Sequence, residues 1–202
     1  MAPGFIVVTA FLALLLAKTV AELWLDALNA REIRRNAGSV PEAFADFISP
    51  QDYEKSVQYS LAKLGFGRVE TVTSAVVLAV ALAGGLVAVL YDGATGVTGT
   101  GVWGQAVAVA FVMLVLALPG LPFDWYATFR LEARFGFNQA TPALWISDKL
   151  KGLTLSLLLG LPLLALLLWF VQAAPQTWWL WGFLALFAVQ LLLLVQIGRA
   201  HV

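Results

Sequence analysis

The residues of this 202-residue chain that could do chemistry are few and poorly matched to one another. There is no cysteine, which removes thiol nucleophiles, disulfides and thiolate metal ligands together. The single histidine, His201, stands next to the final residue. No His-Glu-x-x-His, glycine-rich phosphate loop or Gly-x-Ser-x-Gly elbow occurs anywhere. A catalytic zinc needs about three protein ligands and an open water position. This chain cannot assemble that set, so neither a catalytic residue nor a bound metal or cofactor is expected in it.

What remains is charge in an apolar setting. Lys18, Glu22 and Asp26 recur every fourth residue and so share one face of a helix. Charged groups in hydrocarbon are costly, and usually face a bundle interior or a water-filled cavity. One reading makes the three a polar stripe lining an internal chamber. The other pairs Lys18 with Glu22 near the membrane surface, the lysine snorkelling outward. Periodicity leaves both open. A second unusual stretch, 121–138, is dense in aromatic and charged residues. It could form a substrate-contacting edge or a packed loop between helices, and its composition favours the loop.

The elements that must position these residues are membrane helices. Apolar residues make up 61% of the chain and charged ones only 12%, against roughly 45–50% and 25% in soluble domains. Lipid bilayer is therefore the expected surrounding, and zero net charge gives no reason to expect nucleic acid. A spanning helix needs about 20 mostly apolar residues. Five stretches meet that length, at 5–25, 72–90, 102–118, 153–171 and 178–195. The first lacks a basic leader and a small-residue cleavage site, so it reads as a retained span. The second holds Ala83-Gly84-Gly85, small enough for close helix packing. The fold class predicted is an all-α integral membrane protein with about five spans.

The connecting segments add one more element. Ser49-Pro50, with Asp52 and Glu54 following, is a helix start signal. Tyr53, Val57, Leu61 and Leu64 then fall on one face, which predicts a cytoplasmic amphipathic helix of about four turns ending at Gly65-Phe66-Gly67. Thr141-Pro142 is a similar start, from which a helix can run unbroken through the fourth span to Val171. Leu118-Pro-Gly-Leu-Pro-Phe-Asp124, with two prolines, is expected to break the third helix.

The tail Ile197-Gly-Arg-Ala-His-Val202 reads as the translation of a common short-read sequencing adapter. The expectation is that 197–202 is artefactual and that the membrane domain occupies 1–196.

Several segments resemble the N-terminal region of the Ste24-type CAAX prenyl proteases, membrane-embedded metallopeptidases of the M48 class. They are Trp24–Arg31, Val40–Phe44, the pattern from Tyr53 through Lys55, Tyr59 and Lys63 to Phe66-Gly67, and above all Phe135-Gly136-Phe137-Asn138 with Thr141 and Asp148–Lys151. The resemblance implies a ring of membrane helices around a water-filled chamber. It also implies a zinc site bound by His-Glu-x-x-His and a later glutamate, all downstream of the segments matched here. Zinc and a peptide or protein substrate therefore belong to a parent protein. For this chain the resemblance implies scaffold, including Phe135–Asn138, and it favours the chamber-lining reading of Lys18, Glu22 and Asp26. A complete non-catalytic membrane protein, such as an assembly factor or transporter subunit, is the alternative. Composition points to a bacterial inner membrane.

Orientation follows from the basic residues. The segments between spans one and two and between spans three and four hold ten lysines and arginines, whereas 91–101 and 172–177 hold none. The positive-inside rule then places the N-terminus outside, with Trp169, Trp178, Trp179 and Trp181 in the outer aromatic belt. Reporter fusions at Gly96 and Pro175 should score as external and those at Asn36 and Asn138 as cytoplasmic; the reverse pattern would overturn this orientation.

Overall fold

The computed structural model describes residues 3–44 and 46–199. The tail from Ala200, with His201, lies outside the described residues. Seven α-helices account for most of the rest: α1 (Pro3–Arg35), α2 (Pro50–Ala83), α3 (Leu86–Thr98), α4 (Val102–Ala117), α5 (Leu121–Tyr126), α6 (Pro142–Ala173) and α7 (Trp178–Arg199). No strand occurs among the described residues. That composition is the expected one for a chain in lipid, where backbone groups must find partners within their own segment.

Burial confirms which solvent the sequence suits. Among the described residues, the buried apolar side chains are five alanines (Ala30, Ala81, Ala106, Ala108 and Ala165), Val112 and Phe135. The large leucines, valines and tryptophans lie outward. Small residues at contacts let helix backbones approach closely, which is how helices associate when lipid is as apolar as they are. α1, α2, α6 and the helical run 102–132 are each long and apolar enough to cross a membrane, and the shorter α3 and α7 are apolar too.

The chain divides into two compact units, Met1–Val87 with Leu114–Trp145 and Ala88–Met113 with Ile146–Val202. In the first, α1 and α2 form an antiparallel pair. Arg68 donates from Nη2 to the Asp26 carbonyl at 2.7 Å, and the Tyr53 hydroxyl donates to the Asn36 carbonyl at 2.7 Å. Ser49 caps α2 as its sequence predicts, accepting from the Asp52 N–H at 3.1 Å. In the second unit, Phe170 of α6 stacks on Trp181 of α7 at 6.3 Å. Gly182 lets α7 approach Leu167 of α6, whose Cδ2 would stand 3.2 Å from an added Cβ.

Three local expectations are corrected. The amphipathic helix does not end at Gly65-Phe66-Gly67, because α2 runs through it to Ala83 as a single helix of 34 residues. Glycine costs about 1 kcal/mol inside a helix, and packing of Phe66 against Phe123 and Tyr126 offsets this. The prolines of 118–124 end α4 at Ala117 as expected, but the chain beyond them stays helical and does not open into a loop. Pro119 and Pro122 each sit in the first turn of a new helical segment, a 3-10 turn at Leu118–Gly120 and then α5, where their missing N–H groups would have had no partner. A π-helical turn at Ala127–Glu132 follows, so most of the stretch read as a loop is helical. The apolar stretch 72–90 is also divided: α2 ends at Ala83, and Gly85 takes the left-handed φ of +72° before α3 begins. α6, by contrast, runs from Pro142 to Ala173 as the start signal predicts.

Candidate functional site

The densest set of side-chain interactions lies where α2 meets the end of the third helical run. Tyr59 is held between two phenylalanines, with ring centroids 5.4 Å from Phe135 and 4.8 Å from Phe137, both edge-on at 68°. Phe135 is the one large side chain buried among the described residues, at 7% exposure. Seven residues along α2, on the same face, Phe66 stacks on Tyr126 at 5.2 Å and meets Phe123 at 5.9 Å. Beyond these, Trp125 packs on Phe129 at 4.2 Å and edge-on to Trp145 at 5.2 Å, and the Trp145 indole N–H donates to Asp124 at 2.7 Å.

The segment Phe135–Asn138 explains its own residue types. The Gly136 N–H reaches back to the Ala133 carbonyl at 3.1 Å and the Phe137 N–H to Glu132 at 3.0 Å. Those two bonds make a left-handed helix stop, and Gly136 supplies it with a φ of +75°. The stop places one phenylalanine on each side of the turn, which is what lets both reach Tyr59. Asn138 then accepts from the Ala140 N–H at 2.7 Å, turning the chain toward Thr141, whose hydroxyl accepts from Leu144 at 3.2 Å and caps α6. Lys55 and Lys63 lie over the rings of Phe137 and Tyr59 at 5.2 and 5.8 Å, and Arg134 over Phe135 at 5.7 Å. The motif is a junction that stops one helix and starts the next.

Lys18 and Glu22 meet each other, with Nζ 2.7 Å from both carboxylate oxygens. Their side chains are 64% and 42% exposed on this chain, so the pair lies at its surface. Asp26, one turn on, borders a groove of about 550 Å³ between α1 and α2, with Asn29, Tyr59, Lys63, Glu70 and Thr71 among its other walls. The structure therefore brings Asp26 near the aromatic junction. It gives Lys18 and Glu22 no partner there. Sequence reasoning missed the Arg68–Asp26 and Tyr53–Asn36 bonds, since a bond to a backbone carbonyl leaves no pattern in side-chain spacing. The seven-residue interval from Tyr59 to Phe66 was the available signal for the junction.

Among the described residues, no group of three or more His, Cys, Asp or Glu could hold a metal ion. The donors among the described residues do not fit zinc.

The family described as the CAAX prenyl protease N-terminal region, with five membrane helices, matches residues 29–198. The chain belongs to this family. It is an integral membrane protein. Among relatives, it is 31% identical over 185 residues to the CAAX prenyl protease 1 homolog of Dictyostelium discoideum, covering 82% of this chain and 40% of that protein. It is 32% identical over 175 residues to CAAX prenyl protease 1 of Saccharomyces cerevisiae, covering 76% and 36%. The crystal structure of S. mikatae Ste24p superposes with a TM-score of 0.81 at 25% identity, covering 98% of this chain and 46% of that one. The CAAX protease N-terminal fold is thus present along the chain, which spans about two fifths of the curated relatives' length.

The junction sets the stability of the polar end of this fold. Gly136→Ala forces a side chain into the left-handed region at a cost of about 1–2 kcal/mol. Tyr59→Ala should cost at least as much through its two aromatic contacts, each worth about 0.5–1.5 kcal/mol beyond burial. Limited trypsin digestion should then cut after Arg134 severalfold faster in both variants. Rates equal to the parent chain's would show that the junction contributes little.

Proposed function

We propose that this chain is the N-terminal membrane scaffold of a zinc-dependent metalloendopeptidase of the CAAX prenyl protease kind, which processes membrane-associated or prenylated proteins. The observation that carries this reading is the family match over 29–198, combined with relatives more than twice as long. In this proposal the scaffold occupies 1–196, and 197–202 is foreign to it. The catalytic zinc is held by a later part of the parent protein, and the peptide substrate is cut there. The surrounding bilayer is a bacterial inner membrane with the N-terminus outside, an orientation supported by the basic-residue asymmetry.

Within that scaffold, Lys18, Glu22 and Asp26 line a water-filled chamber, and Phe135–Asn138 hold the helices that frame it. The family supports this, since two exposed charges in the middle of a spanning helix are costly against lipid. These 202 residues hold no native cysteine, so each substitution below adds the single thiol within them. In the full-length parent, Lys18→Cys and Glu22→Cys should react readily with small water-soluble thiol reagents, and Leu16→Cys should not. Equal labelling at all three positions would argue against a wet chamber.

Activity gives the second test. The purified 202-residue chain should bind no zinc at one equivalent and cleave no peptide. The parent reading frame past Gln196 should encode a His-Glu-x-x-His helix and, beyond it, a glutamate ligand. Stoichiometric zinc on this chain would contradict the scaffold reading.

A further inference from the structure

Two neighbouring cavities between α1 and α2 make one crevice. The larger, of about 550 Å³, begins at Asp26 and Glu70, and the smaller, of about 280 Å³, reaches Asn36 and Tyr53. They share Asn29, Ile33 and Ser60 as walls. Every wall residue belongs to the first compact unit, so α1 and α2 alone define the crevice. At 1.5 Å per residue, the run of α2 from Tyr53 to Thr71 makes it about 27 Å long. One end lies at the bilayer surface, since Glu70 is the last charge before the apolar stretch of α2 and Asp26 directly follows that of α1. The bond from the Tyr53 hydroxyl to Asn36 spans the other end.

The walls carry hydrogen-bonding groups that are not in use. Asn29 on α1 and Ser56, Ser60 and Thr71 on α2 make no side-chain hydrogen bond among the described residues. An extended peptide presents an N–H and a C=O at every residue, so it needs donors and acceptors spread along its length. A helix satisfies its own backbone, and an acyl chain has nothing to bond. At about 3.3 Å per residue, the crevice has room for about eight extended residues. Gly67 lies in its wall, and a Cβ there would meet nothing within 4 Å. No neighbour in this chain demands glycine there, and its bare backbone leaves space for an occupant. Charge adds a preference. Asp26, Glu32 and Glu70 stand against Lys63 alone, and none of the four takes part in an ion pair among the described residues. That excess of carboxylate favours a cationic occupant.

We propose that the α1–α2 crevice holds an extended, cationic peptide segment running outward from the bilayer surface, the part of a substrate chain next to its membrane anchor. This rests on the reading of the parent as a peptidase for membrane-associated proteins, and deepens it.

Fluorescence anisotropy on the full 202-residue chain tests it, in phosphatidylcholine nanodiscs that carry no net charge. The probes are two labelled octapeptides, one of alternating serine and lysine and one of alternating serine and glutamate. The lysine peptide should bind saturably and at least about tenfold more tightly than the glutamate peptide. Gly67→Leu, which fills the crevice wall, should weaken that binding about tenfold, the scale of one or two lost hydrogen bonds. Gly65→Leu is the control, because a Cβ there also meets nothing within 4 Å and Gly65 is not a wall residue. Asp26→Asn combined with Glu70→Gln should erase the preference for lysine. Three results would each overturn the proposal: no saturable binding, equal affinities in the Gly65→Leu and Gly67→Leu variants, or a lysine preference that survives the double substitution. Each would leave the peptidase reading standing, whereas a parent frame without His-Glu-x-x-His would sink that reading by itself.

Discussion

A peptide group in hydrocarbon has no water to bond, so each must be satisfied along its own helix, and this requirement organises the rest of the molecule. It explains why the described residues contain helices and no strand. It also explains why the helices meet through alanines and leave their large side chains outside. With no hydrophobic gain from bringing leucines together in lipid, only shape and hydrogen bonds remain to fix the arrangement. The specific contacts are accordingly concentrated toward the polar end, where α2 meets α1 and the segment 121–138.

That end is organised by a few residues that each settle more than one question. Gly136 stops a helix and, in doing so, places Phe135 and Phe137 on either side of Tyr59. Asn138 and Thr141 use the next few residues to turn the chain and start α6. Arg68 and Tyr53 tie α2 to two carbonyls of α1. The residue types of Phe135–Asn138 thus have a mechanical explanation. They are those needed to end one long helix and begin another within a short distance.

Much of this was legible in the sequence, and the failures share a cause. Ser49-Pro50 and Thr141-Pro142 announced α2 and α6 correctly, since capping is local chemistry. The apolar stretches announced spans because length and composition suffice for that. The errors came where tertiary packing overrides local preference. Gly65 and Gly67 read as a stop, yet Phe66 between them is stacked on Tyr126 and the helix continues. Pro119 and Pro122 read as breakers and α4 does end before them, yet the chain beyond, read as a loop, stays helical because each proline falls in a first turn where it costs little. Ala83-Gly84-Gly85 read as a packing surface and proved to be a helix end. For the candidate site, the spacing of Lys18 and Glu22 showed that they share a face, and the structure adds that they bond each other. Spacing could not reveal the groove beside Asp26, because it depends on how two helices cross.

The predominance of alanine at the buried positions bears on how such a chain can change over time. Lipid does not read the shape of an outward leucine, so a leucine, valine or phenylalanine there can replace another with little penalty. An alanine such as Ala106 or Ala108, with no exposed surface, admits no larger side chain without pushing helices apart. Tolerance is therefore inverted with respect to a water-soluble protein, where small surface residues vary freely and large core residues are held. Divergence should accumulate among the largest side chains first, and a sequence could drift far while its helix framework stayed in place.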